Sequence, residues 1–229
     1  MKSKRTCSTE LAYALGLVIL AIGTAMMERA DFGMSMVVAP AYLLHLKVSQ
    51  IFGWFTFGVA EYVFQALLLL ALSFALRRFK RSYLFSFVTA VLYGITLDLA
   101  IAAVALLPGG GMGARCAFYL LGMVLCSVGV AFFFRTYISP EAYELFVKEL
   151  AQKLGKRIEL VKTAYDCCSC LLGVALSFAF FGFGHFEGVK LGTIFCALVN
   201  GFMIGKISAA LDSMFEFRDA LPLCKLFEQ

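Results

Sequence analysis

Six long apolar stretches govern what this chain can become: Leu11–Met27, Trp54–Leu76, Leu84–Leu107, Cys116–Phe134, Tyr165–Phe183 and Leu191–Leu211. Each is close to the roughly 17–25 residues that cross a bilayer core as a helix, a form that satisfies its own backbone hydrogen bonds. Composition agrees. Hydrophobic residues make up 62% of the 229 and charged ones 15%, against about 45–50% and about 25% in soluble domains. The excess must face lipid, and the same imbalance excludes disorder. The formal charge of +5 does not point to nucleic acid, because the basic residues form short clusters beside apolar runs and not one stripe. The expected fold is an all-α membrane protein, one transmembrane domain over 1–229 with six transmembrane helices.

Two shorter segments lie between spans. Met34–Val48 is apolar, holds Pro40 and His45, and is too short to cross, so it reads as a short re-entrant or interfacial helix. After the fourth span, Ser139-Pro140-Glu141 has the order of an N-cap, a first-position proline and a first-turn acid. Tyr143, Phe146, Val147, Leu150 and Leu154 then share one face, with Glu144, Lys148, Glu149, Gln152 and Lys153 elsewhere, up to Gly155. That pattern predicts an amphipathic helix at the membrane surface.

Lys2, Lys4 and Arg5 precede the first apolar run, but Glu28-Arg29-Ala30-Asp31 follows it in place of a small-residue cleavage site, so the first helix is expected to be retained. Basic residues collect on the side of the N-terminus: Lys2 to Arg5, Arg77 to Arg81, Arg135 and Lys148 through Lys162, then Arg218 and Lys225. The opposite loops hold Arg29, Lys47, Arg115 and Lys190. The charge rule predicts that both termini are cytoplasmic.

The chain also repeats. Leu15-Gly16-Leu17-Val18, Gly23-Thr24-Ala25 and Arg29 overlay Leu121-Gly122-Met123-Val124, Gly129-Val130-Ala131 and Arg135. Ala71–Ala75 and Ala175–Ala179 share Ala-Leu-Ser-Phe-Ala, and Ala90 and Gly94 match Ala197 and Gly201. Four matches in order imply duplication of residues 11–107 as 116–211, each half with its short helix after the first span. Three spans is an odd number, so the halves are expected to be inverted repeats.

Arg29-Ala30-Asp31-Phe32-Gly33-Met34-Ser35, Ile138–Ala142, Gly155–Asp166 and Gly188–Gly201 resemble the YczE/YyaS/YitT family of bacterial membrane proteins. With few residues after the last span, the soluble C-terminal domain of the YitT branch is expected to be absent, which favours the YczE-like branch. The chain departs from the family at Phe183-Gly184-His185 and at Lys162, where relatives often carry a glycine-rich turn and an arginine. The resemblance implies the fold and a location in the bacterial inner (plasma) membrane; members of that branch are often taken for transporters.

Ionisable groups inside a span cost roughly 2.5–3.5 kcal/mol each at its centre, so they mark a partner or a function. The candidates are Glu61, Asp98, Asp166, Asn200 and Lys206. In the overlay Glu61 and Asp166 fall within one residue of each other, beside Tyr62 and Tyr165, which places a carboxylate and a tyrosine near each end of a central path. Proton or cation coupling, or a carboxylate pair that recognises a cationic substrate, is one reading; headgroup-level carboxylates and an Asp98–Lys206 pair are the other. Arg29 and Arg135 end the first and fourth spans, either as anion-attracting corners or as anchors, Arg29 in an ion pair with Asp31.

Cys167, Cys168 and Cys170 lack further ligands and read as apolar filler. Gly109–Gly113 lacks the Lys-Ser/Thr of a phosphate loop and reads as a hairpin. No catalytic pair, cofactor motif or metal site is expected, and no enzyme. The leading function is a secondary transporter of a small molecule or ion by alternating access. A substrate-capturing accessory subunit, for which Ala21–Ala25 offers a docking surface, and a structural or regulatory membrane protein are the alternatives. Lipid, a small-molecule or ion substrate, and a second copy or accessory subunit are the expected partners.

Overall fold

The computed structural model describes residues 5–76, 81–108, 110–183 and 189–220. Lys2, Lys4, Arg77, Arg78, Lys80, Gly109, Gly184, His185, Gly188 and Lys225, which enter the readings above, lie outside them. In chain order the elements are β1 (Arg5–Ser8), α1 (Thr9–Ala30), α2 (Ala39–Val48), α3 (Phe57–Leu76), α4 (Arg81–Ala105), α5 (Met112–Phe133), α6 (Ala142–Leu154), α7 (Ile158–Phe181), α8 (Leu191–Met214) and β2 (Phe215–Arg218).

Helices α1, α3, α4, α5, α7 and α8 are long and apolar enough to cross a membrane, which marks a multi-pass integral membrane protein. Leu70 and Phe74 on α3, Leu171 on α7, and Leu198 and Phe202 on α8 point outward and exposed. On those same helices Glu61, Gln65, Lys162, Asp166 and Asn200 are buried. Apolar outside and polar inside is the arrangement lipid imposes.

Helices α1 and α5 cross antiparallel at the centre, and glycine lets their backbones touch. A Cβ on Gly23 would meet the Gly122 carbonyl at 2.8 Å, and one on Gly129 would meet the Gly16 carbonyl at 2.9 Å. Outside this pair α4 packs on α1 and α8 on α5, while α3 pairs with α4 and α7 with α8. Short α2 and α6 each touch both α3 and α7. Hydrogen bonds follow the same plan: Tyr13 on α1 reaches Thr89 on α4 at 2.9 Å, and Tyr119 on α5 reaches the Gly192 carbonyl on α8.

Helix α2 starts at Ala39 with Pro40 in its first turn, and the non-helical residues from Met34 to Val38 are buried by protein. Irregular backbone at such depth is tolerated only when protein covers it. Helix α6 departs from its expected form. It starts two residues later than the serine cap implies, with Glu141 as N-cap, and it ends at Gly155, left-handed at φ 60°. Its first turn is buried on all sides, Glu144 included, whereas Leu154 is exposed. The cause is insertion of the helix start between α3, α4 and α7, where polar partners await it. Ser86 and Thr89 on α4 donate to the carbonyls of Pro140 (2.6 Å) and Ser139 (2.9 Å).

The periodicity did not predict the strand pair. β1 and β2 run parallel, Arg5 opposite Phe215 and Ser8 opposite Arg218, so the start of α1 and the end of α8 share one face of the molecule. Tyr137, just before α6, donates to Glu10 there at 2.8 Å. At the far end of α1, Asp31 is left-handed at φ 54° and pairs with Arg115 of the α5 start (3.1 Å) and Lys190 before α8.

Candidate functional site

Where α6 enters the bundle, the fold encloses a chamber of about 20 Å³. Its wall draws on Thr24 of α1, Ser35 before α2, Tyr93 of α4, Cys126 of α5, Glu141, Tyr143 and Glu144 at the α6 start, Lys162 of α7 and Asn200 of α8. Glu61 and Gln65 on α3, and Asp166 on α7, stand behind that wall and are fully buried.

Gln65 organises one side. It lies one helical turn after Glu61, so both point the same way. Its Nε2 donates to Glu141 Oε2 at 3.0 Å and to Glu61 Oε2 at 3.3 Å, while its Oε1 accepts from the Ala142 backbone at 3.0 Å. That last bond caps α6, whose own N-cap side chain makes no capping bond. The Tyr143 hydroxyl donates to Glu61 Oε2 at 3.1 Å.

Lys162 organises the other side: its Nζ lies 3.1 Å from Asp166 Oδ1 and 3.5 Å from Glu144 Oε1. Burial, and then the nearby carboxyls of Glu144 and Glu61, push Glu141 well above the usual carboxylate range. Between the two sides, Thr24 bonds Tyr93 at 2.8 Å and Ser127 donates to Asn200 at 2.8 Å.

Of the residues singled out from sequence, Glu61, Asp166, Asn200 and Tyr165 come together here, Tyr165 tilted against Phe146 with Lys162 over its ring. Glu61 and Asp166 do not mark opposite ends of a path. Both reach α6, Glu61 through Tyr143 and Asp166 through the lysine it shares with Glu144. Tyr62 is elsewhere, beside Gly94 on α4.

Asp98 does not pair with Lys206. It caps the α3 N-terminus, accepting from Thr56 Oγ1 at 2.7 Å and the Gly58 backbone at 2.9 Å, where a carboxylate suits the helix dipole. Lys206 lies over the Phe202 ring, in a groove with Arg157 and Glu159. Asp98→Asn is expected to cost about 1 kcal/mol, the usual worth of a cap, with no coupling to Lys206→Met in a double-mutant cycle of thermal stability. Mutual rescue of the two substitutions would restore the pair.

Neither arginine is an open anion corner. Arg29 donates to the Leu107 carbonyl beyond α4 and sits over Phe118; Asp31 pairs with Arg115 and Lys190 instead. Arg135 makes a two-pronged pair with Asp212 at 2.7 and 2.6 Å and also donates to the Ser208 carbonyl on α8.

Sequence reasoning passed over Gln65, Glu141, Tyr143, Glu144 and Lys162 as site residues. Lys162 entered as a loop charge and as a departure from the resembled family, not as a site residue, yet it is buried in the second turn of α7. The available signal was the Glu61-to-Gln65 spacing, which sets two polar side chains on one face of an apolar helix.

No curated protein and no solved structure matches the chain. A profile match to DUF6198, a family of unknown function, covers residues 7–209, from β1 into the last turns of α8. Since that match takes in the chamber and the helices that build it, the chain belongs to the DUF6198 family.

Proposed function

We propose that this protein is a secondary transporter of a small molecule, working by alternating access between two inverted repeats in a bacterial plasma membrane with both termini cytoplasmic. The observation that carries the reading is the closed chamber: it lies where the two halves meet, both halves line it, and buried carboxylates surround it. The start of α6 and the segment leading into α2 both end at this chamber, as broken helices do at transporter substrate sites.

Pseudo-symmetry supports the two halves. If Gly16 and Gly23 correspond to Gly122 and Gly129, a two-fold axis between α1 and α5 requires Gly16 to meet Gly129 and Gly23 to meet Gly122, the pairing described above. Tyr13 and Tyr119 correspond under the same offset and bond corresponding helices. Kinship with the YczE-like proteins belongs to this reading. It is one of carriage, without covalent catalysis or a cofactor.

Cys126 supplies the test, because it lines the chamber and is buried in the closed form. In a variant that keeps Cys126 and has its other cysteines replaced by serine, a membrane-impermeant methanethiosulfonate added to proteoliposomes is expected to modify it from either face. Modification from one face only would indicate a capturing or accessory protein. Modification from neither would indicate a structural one, and both outcomes defeat the carrier.

A further inference from the structure

Around the chamber, the buried polar atoms without a hydrogen-bond partner are all carboxylate oxygens: Glu61 Oε1, Glu141 Oε1, Glu144 Oε2 and both oxygens of Asp166, one of which faces the Lys162 ammonium. No buried side-chain nitrogen among the described residues lacks a partner. The donors present are already engaged, Gln65 with two carboxyls, Tyr143 with Glu61, and Lys162 with Asp166. A ligand entering this space meets acceptors, so it must bring donors.

It must also bring charge. Four carboxyls face one ammonium, and a buried, uncompensated carboxylate is costly enough that it takes a proton or a cation instead. In the closed form the space is about 20 Å³, room for about one water, so protons are the compensation that fits. A metal ion is disfavoured because, among the described residues, no three His, Cys, Asp or Glu side chains converge as its ligands. What suits separated acceptors is a cation that spreads several N–H groups. The buried rings of Tyr93 and Tyr143 add faces that attract a cation.

We propose that the chamber takes up a small organic cation bearing N–H groups, a primary ammonium or guanidinium, between Glu141 and Glu144, in exchange for the proton that Glu141 holds in the closed form. The proposal rests on the carrier reading and names the substrate class of the same site. Charge balances: each positive charge that enters releases one carboxylic proton to the solution on the open side, and no bond other than O–H breaks. The titratable groups facing Glu141 and Glu144 are Tyr13 from α1, Glu61 from α3, Tyr93 from α4, Cys126 from α5, Tyr143 from α6, and Lys162, Tyr165 and Asp166 from α7. Helix α1 also offers uncharged Thr24, and the segment before α2 offers Ser35. Phenols and thiols are ordinarily neutral at pH 7, which leaves the carboxyls as the source of exchanged protons.

Calorimetric titration of the purified full chain in detergent tests this, with methylguanidinium and butylammonium as probes. Tetramethylammonium, a cation without N–H, and butyrate are the comparisons. The N–H cations are expected to bind with release of about one proton each, read from buffers of different ionisation enthalpy. Affinity should rise with pH, by up to about tenfold per unit, the slope set by one released proton. Glu141→Gln and Glu144→Gln should each weaken binding more than tenfold, with thermal unfolding measured alongside so that one variant still reports if the other fails to fold. Glu159→Gln, in the α7–α8 groove, should bind as the parent does.

Absence of N–H cation binding, equal binding of tetramethylammonium or butyrate, or binding without proton release overturns the proposal. If Cys126 is nonetheless modified from both faces, the carrier stands and only its substrate class falls. Binding with proton release but modification from one face keeps the site and removes transport.

Discussion

Lys162→Met is expected to lower the stability of the protein by about 3–5 kcal/mol, the largest loss from any single side chain. Lys162 is 1% exposed and lies against Asp166 and Glu144, which are equally buried. Removing one partner of a buried pair leaves an uncompensated charge, and that penalty exceeds the net worth of the pair. In detergent the melting temperature should fall by on the order of 10 °C. Lys162→Met combined with Asp166→Asn should recover most of the loss, because both halves of the pair are then neutral. Lys162→Arg keeps the charge and should lose far less. Unchanged melting of Lys162→Met would mean that the ammonium is solvated.

The second large effect is expected at the α1–α5 crossing. On Gly23 a Cβ would sit 2.8 Å from the Cys126 backbone nitrogen, the Cys126 sulfur and the Gly122 carbonyl at once, and on Gly122 it would sit 2.7 Å from the Gly23 carbonyl. Backbone cannot step aside as a flexible side chain can, so Gly23→Leu or Gly122→Leu must part the two central helices. A loss of about 3 kcal/mol or more follows, at the top of the range for overpacking. Gly53→Ala and Gly111→Ala, where an added Cβ meets nothing within 4 Å, are the controls and should melt within about 2 °C of the parent. If Gly23→Leu melts with them, the close approach of α1 and α5 is not what holds the centre.

The spans were legible because lipid imposes a length and a composition that any window of sequence displays. Gly155 marked the end of α6 for a local steric reason, whereas α2 begins at Ala39, inside the apolar run that starts at Met34. The site was less legible because its contacts skip along the chain. Gln65 reaches Glu141 and Ala142 across 76 and 77 positions, and Asp98 finds the free N–H of Gly58 across 40. Helix periodicity cannot show such partners.

Glu144 and Lys162 were misread for a related reason. Both border a polar stretch that resembles an interfacial loop, and only the insertion of α6 between other helices turns a solvated pair into a buried one. Asp98 drew attention as a lone mid-span charge, but α4 happens to carry it past the beginning of α3, and a helix end is a sufficient partner.

The two ends of the molecule are fastened by different means. On the face that carries both strands, α1 and α8 are joined through backbone hydrogen bonds between β1 and β2. On the other face the corresponding fastening is Asp31, 64% exposed at its side chain, held between Arg115 and Lys190. Exposed charges weaken as counterions crowd around them, over a Debye length of about 8 Å at physiological ionic strength, whereas amide hydrogen bonds are nearly indifferent to it. Ionic strength therefore bears unequally on the two ends, weakening the Asp31 clasp while leaving the strand clasp as it is, so that added salt lowers the stability of one end of the bundle and not of the other.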